Sequence, residues 1–400
     1  MRIFFTLIIV FFAFTLNADT QGKKRIFILH SYAQEYEWTK LQHQKFVASM
    51  EESLSLPLEI STEYLDTKRL KFDKSYQTFF LHYLQEKYKE YNPDVIYVTD
   101  DNALTFFSNH QKALFVGKPI FFSGINNLSL VSSLDPKKFT GVYETKDIEP
   151  NIELIKQFSP QTRDIWIVGD RSTTYQAIES DIKKKIHHFP KYTFHFLSSD
   201  KIDDIMEQLP KTPKSFVLLT TIGGWSDHSG RNLTLKESIH TLKSNTHLIL
   251  CSMEDAYLVG GVVGGFVTSG AKQGFEAAKL VKRYFSGEPL SSIHSIVKSP
   301  NGYIFDRRAL IESRLILSEY TARNAIVLYE KKNFFEQHQE MILNTLFILM
   351  TLFLIFLIII YFVSLQKKVH LHQVEAELEV CSAELLMVKK KLALMKQQNE

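Results

Sequence analysis

The feature of this sequence that most limits its architecture is an uncharged apolar run over residues 341–363, built mainly from Leu, Ile, Phe and Met. At about 1.5 Å per residue, a helix of this length crosses the roughly 30 Å hydrocarbon core of a bilayer. Lys367 and Lys368 follow the run, whereas Glu336 and Glu340 precede it. Positive charge favours the cytoplasmic flank, so we predict a transmembrane helix at 341–363 whose C-terminal side is cytoplasmic.

A second, shorter apolar run occupies residues 3–16, with Arg2 before it and Asn17 and Ala18 after it. One positive charge, a short hydrophobic core and a small residue are typical of a secretory signal peptide. We predict a signal peptide over residues 1–18, with an uncleaved anchor as the alternative because Leu16 is bulkier than the usual residue there. Either interpretation places the segment that follows in the periplasm or outside the cell. With a signal peptide at 1–18, we predict a single-pass protein of the inner (cytoplasmic) membrane.

Charge and cysteine content exclude several classes of protein. The net charge is +3, and the chain has no Lys/Arg-rich run of the kind that tracks phosphates, so we expect no nucleic-acid partner. Cys251 and Cys381 fall on opposite sides of the predicted membrane span. A disulfide framework and a cysteine-based metal site are therefore excluded, and the fold must be held by packing.

Beyond the predicted span, apolar residues recur at alternating steps of three and four positions, which is the a/d pattern of a coiled coil. Glutamates dominate the first half of this segment and lysines the second, so opposite charges can pair along the flanks. We predict a cytoplasmic coiled coil over residues 365–400 that joins two chains as a homodimer. The alternative is a lone amphipathic helix on the membrane surface, which the acidic residues near the membrane disfavour. The seam positions are Leu371, Val374, Leu378, Cys381, Leu385, Val388, Leu392 and Met395.

Segments of strand type and helix type alternate through the exported domain, residues 23–330. Continuous apolar strands between helices are typical of parallel sheets covered on both faces. Two such sets in tandem predict an α/β fold with two doubly wound parallel-sheet lobes and a hinge. We expect the first lobe to hold about 23–140 plus part of 250–320, and the second about 141–250. The predicted strands are 25–30, 58–65, 94–99, 119–123, 165–168, 192–197 and 215–220, and the predicted helices are 37–54, 73–88, 102–113, 148–158, 173–187, 200–208 and 233–242.

Polar and aromatic residues follow directly after these strands. Ligands of such folds lie beyond the carboxyl ends of the strands, and two facing lobes would place those ends around one cleft. Carboxylates and amides there can fix amines or hydroxyls, and aromatic rings can form flat apolar walls. The alternative for each residue is a helix cap or turn. The predicted ligand-binding residues are Ser31, Tyr32, Trp38, Asp101, Asn102, Asn126, Asp170, Thr221 and Asp255.

Six short segments of the chain, in order, carry a resemblance to a known family. They are His30-Ser31-Tyr32 with Trp38-Thr39, residues 63–69, Asp94-Val95-Ile96 with Asp100-Asp101-Asn102-Ala103, residues 122–127, residues 261–265 with Thr268-Ser269-Gly270, and Ser299-Pro300-Asn301-Gly302-Tyr303. Together they resemble the ABC-transporter substrate-binding-like domain, a two-lobed periplasmic-binding fold often found as the outer sensor of bacterial membrane receptors.

The resemblance implies that a small molecule binds between hinged lobes. By the family's pattern, the first-lobe contacts would be Ser31, Tyr32, Asp101, Asn102 and Asn126. The chain departs from that pattern at Glu254, where many relatives have an aromatic residue. The class of ligand is therefore open, and an amino acid, a nucleobase or a small carboxylate would each fit.

Motifs of catalysis are weak in this chain. Ser226, Asp227 and His228 are adjacent, whereas a catalytic triad brings its members from separate elements. The glycine pairs at 260–261 and 264–265 do not make a dinucleotide-binding motif, and no H-E-x-x-H occurs. We therefore expect no enzyme, no catalytic residue, no cofactor and no metal.

These features together predict a membrane-anchored sensor. A small molecule would close the two lobes, and closure would pass through the transmembrane helix to the dimeric coiled coil, where a separate cytoplasmic signalling protein would read it. The alternative is a membrane-tethered substrate-binding subunit of an ABC-type transporter.

Overall fold

The first lobe is built on a parallel sheet whose inner strands are buried on both faces, whereas its edge strand at Leu58–Tyr64 is half-buried. The computed structural model describes residues 23–53, 57–330 and 334–397, and the predicted signal peptide lies outside them. The five strands run in the order β2-β1-β3-β4-β5. They are β1 (Lys24–His30), β2 (Leu58–Tyr64), β3 (Val95–Thr99), β4 (Ile120–Ile125) and β5 (Phe139–Tyr143), with helices α1 (Glu37–Ser53), α2 (Lys74–Lys87), α3 (Asp100–His110) and α4 (Leu128–Ser132).

The second lobe carries a seven-stranded sheet in the order β12-β11-β10-β9-β8-β6-β7. All neighbouring strands are parallel except β10 and β11, which are antiparallel. The prediction of two α/β lobes with parallel sheets is confirmed. The strands are β6 (Asp164–Gly169), β7 (Thr193–Ser198), β8 (Ser215–Leu219), β9 (Leu248–Ser252), β10 (Gly264–Val267), β11 (Gly302–Asp306) and β12 (Ala325–Leu328), and the helices are α5 (Ile148–Phe158), α6 (Thr173–Lys185), α7 (Ile202–Gln208), α8 (Leu235–Lys243), α10 (Arg307–Glu312) and α11 (Glu319–Arg323).

One late helix, α9 (Gly270–Phe285), returns to the first lobe. Its residues Ala277 and Val281 share a hydrophobic core with Ile26 and Ile28 of β1. Beyond residue 250, the chain thus adds one helix to the first lobe and four strands, β9 to β12, to the second. The second lobe consequently extends well past the expected boundary at about residue 250, because the chain crosses between the lobes more than once.

Three segments connect the lobes: residues 144–147, 268–269 and 297–301. Gln273, which is fully buried, links the end of β5, where the first crossing begins, to the third crossing. Its Nε2 donates to the carbonyl of Tyr143 (2.9 Å) and to the hydroxyl of Ser299 (3.3 Å). Asn301 in the third donates to the carbonyl of Thr145 in the first (2.8 Å). These bonds hold the crossings side by side as one hinge.

The C-terminal unit, Glu330–Glu400, contains the short helix α12 (Phe334–Gln337) and the 59-residue helix α13 (Gln339–Gln397). Among the described residues, α13 is the one helix long and apolar enough to cross a membrane. It continues without a break from the predicted span through the predicted seam. This geometry fits a single-pass membrane protein, and the coiled coil stays a prediction.

Helix α9 packs unusually close to α1 at Gly274, where an added Cβ would lie 2.2 Å from the carbonyl oxygen of Gln42. Gly274→Val should therefore force the two helices apart and lower the free energy of unfolding by about 3 kcal/mol, the upper range for overpacking. Thermal unfolding measures the loss, and Lys279→Val, on the exposed face of the same helix, is the matched control. An equal Tm for the two variants would contradict this account of the packing.

Candidate functional site

A narrow cavity lies between the lobes at the carboxyl ends of strands from both sheets. Its enclosed space is about 20 Å³, and about 290 Å³ when the open solvent at its mouth is included. The first lobe contributes the loops after β1, β2, β3 and β4, the hinge contributes one residue, and the second lobe contributes α6 and the loops after β8 and β9. The lining residues are Tyr32, Tyr36, Trp38, Lys68, Asp100, Asn126, Glu144, Thr174, Thr221, Glu254 and Tyr257.

Aromatic rings bring the two lobes into contact around this cavity. Trp38, of the first lobe, is 3% exposed and belongs to a core cluster that also holds Ala256 and Tyr257 of the second. Tyr36 approaches the second lobe so closely that a Cβ on Gly223 would lie 2.4 Å from its hydroxyl oxygen. The structure therefore shows the lobes closed on each other.

An ion pair also crosses the cleft. Nζ of Lys68, in the first lobe, lies 3.6 Å from Oδ2 of Asp170, in the second. Asp170 is held from its own side, because it accepts hydrogen bonds from the hydroxyl of Thr221 (3.0 Å) and the backbone N–H of Gly224 (3.0 Å). The Lys68 ammonium also faces the ring of Tyr32 at 5.1 Å from its centroid. Lys68 is therefore positioned to respond to the separation of the lobes.

A buried lysine holds the hinge together. Nζ of Lys146 lies 2.8 Å from Glu144 and 2.7 Å from Glu254, and it donates to the hydroxyl of Thr268 at 3.2 Å. These partners come from the first crossing, the second lobe and the second crossing respectively. Although burial works to lower the pKa of Lys146, the two carboxylates hold it above its ordinary value. Burial raises the pKa of Glu254 to about 7, with Lys146 opposing the rise and Glu144 adding to it.

Asp100, the first residue of α3, presents a third buried carboxylate to the cavity, after Glu144 and Glu254. It is 2% exposed and has a left-handed backbone with φ of 64°. Its Oδ1 accepts a hydrogen bond from Nε1 of Trp38 at 3.0 Å. Burial raises the pKa of Asp100 well above its usual range, and the charge of Glu144 adds to the effect. The site thus combines aromatic walls with carboxylates that lie almost entirely out of water.

The match to known proteins follows this geometry. A family model described as ABC transporter substrate binding protein matches residues 68–326. The chain belongs to this family. Its members are solute-binding proteins rather than enzymes, and the resemblance seen in the sequence is confirmed. No curated protein matches the chain significantly.

Three solved structures share the fold at low sequence identity. A conserved domain protein from Vibrio cholerae is 14% identical over 76% of this chain and 99% of that one, with a TM-score of 0.57. An ABC domain from Streptococcus pneumonia, in complex with L-Trp, is 13% identical over 77% and 100%, with a TM-score of 0.56. A ligand-free, open substrate-binding protein with adhesive properties from Clostridium difficile is 12% identical over 77% and 100%, with a TM-score of 0.53.

Four of the residues predicted from the sequence line the cavity: Tyr32, Trp38, Asn126 and Thr221. Asn126 is oriented by Glu144, whose carboxylate accepts from its Nδ2 at 3.1 Å. Asp170 lies directly behind the wall, bonded to Thr221 and paired with Lys68. The residues predicted from the sequence therefore include lining residues from both lobes, such as Asn126 of the first and Thr221 of the second.

The other four predicted residues are not among the lining residues and bond to other segments of the fold. The fully buried hydroxyl of Ser31 donates to the carbonyl of Thr99 at 2.7 Å, and Asn102 donates to the hydroxyl of Thr67 at 2.8 Å. Asp101 accepts from backbone N–H groups of the loop after β4, and Asp255 accepts from the backbone N–H of Gly270 at the start of α9. Burial raises the pKa of each of these two carboxyls to about 6. A role of these four in ligand binding stays a prediction.

Seven lining residues were not among the predicted ligand-binding residues: Tyr36, Lys68, Asp100, Glu144, Thr174, Glu254 and Tyr257. Asp100 and Glu254 each immediately precede a predicted residue, Asp101 and Asp255. Lys68 and Asp100 lie in segments that carry the family resemblance, and Glu254 is the position where the chain departs from it. Glu144 follows β5, a strand that the sequence pattern did not predict. Spacing alone located the loops but not which side chain of each loop faces the cavity.

Removing Lys146 should leave Glu144 and Glu254 buried against each other. We expect Lys146→Met to lower the free energy of unfolding by about 3–5 kcal/mol at neutral pH, the usual consequence of breaking a buried ion pair. The penalty should shrink as pH falls from 8 to 5, because a carboxyl with a pKa near 7 becomes protonated and needs no cation.

Thermal unfolding over this pH range measures both effects. Lys156→Met is the matched control, since Lys156 pairs with Glu153 on an exposed helix face, and its Tm should stay close to that of the wild type. A Lys146→Met penalty that is the same at pH 5 and pH 8 would show that lost packing, and not charge, is responsible.

Proposed function

We propose that the protein is a membrane-anchored receptor that closes its lobes around a small molecule and reports closure through α13 to a cytoplasmic coiled-coil dimer. The observation that carries the proposal is that charged and aromatic side chains of both lobes, and one residue of the hinge, converge on a single cavity. A molecule placed there contacts both lobes at once, so it stabilises the closed state selectively.

The lining of the cavity supports a small ligand, because carboxylates, an amide, hydroxyls and aromatic rings meet there. The related domain from Streptococcus pneumonia is in complex with L-Trp. An amino acid, a nucleobase or a small carboxylate would each match this lining. Since the closed structure encloses only about 20 Å³, the lobes must move apart to admit such a molecule.

The hinge supports coupling between ligand and lobe movement. Glu144 lines the cavity and is also bonded to Lys146 of the same crossing. A ligand that contacts Glu144 therefore acts on the hinge directly. To shift the closed state from 1:99 to 99:1, it must bind that state about 5.5 kcal/mol more tightly than the open one.

The reporting half of the proposal rests on α13. A single helix of 59 residues contains both the apolar span and the seam positions, so a rotation or axial shift of the span would move the seam with it. A transporter subunit would need only a tether. That alternative predicts ligand uptake that survives deletion of residues 367–400, whereas signalling would not survive it.

Lobe closure should depend on the absence of a side chain at Gly223. Full-length protein in lipid nanodiscs is first screened by thermal shift against amino acids, nucleobases and small carboxylates. A ligand at a hundred times its Kd adds about 2.7 kcal/mol to the free energy of unfolding. Gly223→Ala should then raise the Kd of the hit about tenfold, because the new methyl meets Tyr36 only in the closed state.

A double-mutant cycle tests whether that loss acts through closure. In a Tyr36→Ala background, Gly223→Ala should have little further effect, and the ligand-free Tm should stay near that of the parent in both backgrounds. A tenfold loss that persists without the Tyr36 ring would contradict the closure contact. A screen without any hit would overturn the receptor proposal itself.

The proposed dimer can be tested with the cysteines already present. Cys381 is an exposed seam residue, whereas Cys251 is buried and burial raises its pKa to about 12. Mild oxidation of membranes should therefore link two chains through Cys381, seen as a band of doubled mass on non-reducing gels.

The matched control moves the thiol off the seam. In Cys381→Ser/Ala383→Cys, position 383 is the outermost f position of the heptad, so cross-linking should fall sharply. Equal yields from positions 381 and 383 would favour a monomeric surface helix. Ligand from the screen should change the yield at 381 if closure reaches the seam.

A further inference from the structure

One carboxylate oxygen in the cavity is left without a partner. Asp100 is 2% exposed, and its Oδ2 makes no hydrogen bond to any residue that the structure describes. The other oxygen, Oδ1, is occupied by the indole N–H of Trp38. Buried polar groups are almost always paired, so an unpaired carboxylate oxygen on a cavity wall points to a partner that arrives from outside.

The backbone holds this oxygen in place. Asp100 sits at a φ of 64°, a left-handed conformation that residues with a side chain adopt rarely and that clusters at functional sites. Gly124, across from it, leaves just enough room, since a Cβ there would lie 2.8 Å from Oδ1. The carboxylate is therefore fixed before any ligand binds.

The lysines near the cavity leave Asp100 without a cation of its own. Lys68, which lines the cavity, is paired with Asp170, and Lys146, behind the lining, is paired with Glu144 and Glu254. Neither lysine forms an ion pair with Asp100 in the described structure.

The aromatic walls suit a positive charge as well. The faces of Tyr32 and Trp38 already lie near ammonium groups, with Lys68 at 5.1 Å from the first ring centroid and Lys146 at 6.0 Å from the second. Ring faces attract cations, and they also pack against apolar groups. A ligand with an ammonium head and an apolar body would satisfy both properties of the cavity.

We propose that the ligand carries a protonated amine, which binds Oδ2 of Asp100 while its apolar part packs against the aromatic rings. The inference rests on the proposed function, since it specifies the chemistry of the molecule that closes the lobes. Both free amines and α-amino acids share this group. In an α-amino acid, the carboxylate would lie toward Lys68 and the hydroxyl of Thr174, which line the same cavity.

This assignment makes binding dependent on pH. Burial, with the charge of Glu144, raises the pKa of Asp100 in the empty protein, and an ammonium partner would lower it again. Binding should release a proton, so affinity should rise with pH until the free Asp100 is ionised. The other titratable groups facing Asp100 are Asp101, Glu144, Tyr32, Tyr36 and Tyr97. Burial raises the pKa values of the three tyrosines, which keeps them neutral.

The test uses matched pairs of compounds on the full-length protein in nanodiscs. Each pair is an amine and its counterpart without the amino group, such as L-Trp and indole-3-propionate, or phenethylamine and ethylbenzene; tryptamine separates free amines from amino acids. We expect the amine of a pair to bind and its counterpart not to bind. Asp100→Asn should weaken the amine about 100-fold and remove the rise of affinity with pH.

Asn tolerates the left-handed backbone, so Asp100→Asn should fold, and loss of the unpaired carboxylate should keep its ligand-free Tm at or above that of the wild type. Asp94→Asn, at the other end of the same strand, is the matched control and should leave amine affinity unchanged. Preference for the counterparts, or full amine affinity in Asp100→Asn, would overturn this inference while the receptor proposal stands. Failure of every compound in this and the wider screen would overturn both.

Discussion

The ion cluster around Lys146 is the interaction on which the arrangement of the lobes depends. One ammonium group bonds to a carboxylate of the first crossing, a carboxylate of the second lobe and a hydroxyl of the second crossing. A buried lysine is unfavourable without such partners. Any movement that separates them either exposes a charge to water or leaves it buried without a partner. The cluster therefore restricts the hinge to movements that keep Glu144, Lys146 and Glu254 together.

The same cluster forms part of the binding surface. Glu144 and Glu254 line the cavity, so the charge state of the hinge and that of the site cannot be separated. The contacts that report closure lie on the far side, where Lys68 meets Asp170 and Tyr36 meets Gly223. The cavity thus has a buried ion cluster on its hinge side and an ion pair between the lobes on its outer side. The proposed closure around a ligand would use this division.

Sequence patterns identified the lobes because the strands are buried on both faces and read as continuous apolar runs. The β1 residues Ile26 to Leu29, all fully buried, are an example. The return of α9 to the first lobe could not be predicted, because its apolar face looks the same whichever lobe covers it. The antiparallel pairing of β10 and β11 is likewise a property of chain direction and not of composition.

The sequence predicted the segments around the cavity but only four of the side chains that line it: Tyr32, Trp38, Asn126 and Thr221. In the pair Asp100 and Asp101, the first faces the cavity, and its backbone is left-handed. Asp can adopt this conformation, but the presence of Asp in a sequence does not predict it. Ser31 was predicted as a ligand contact, and its hydroxyl bonds to the junction of β3 and α3. It donates to the carbonyl of Thr99 and accepts from the backbone N–H of Ala103. The left-handed geometry at position 100 also limits what evolution can place there. Asp and Asn tolerate it best among residues with a side chain, and their codons differ by a single base, so a relative of this protein could exchange a charged recognition group for a neutral one in one mutational step without rebuilding the fold.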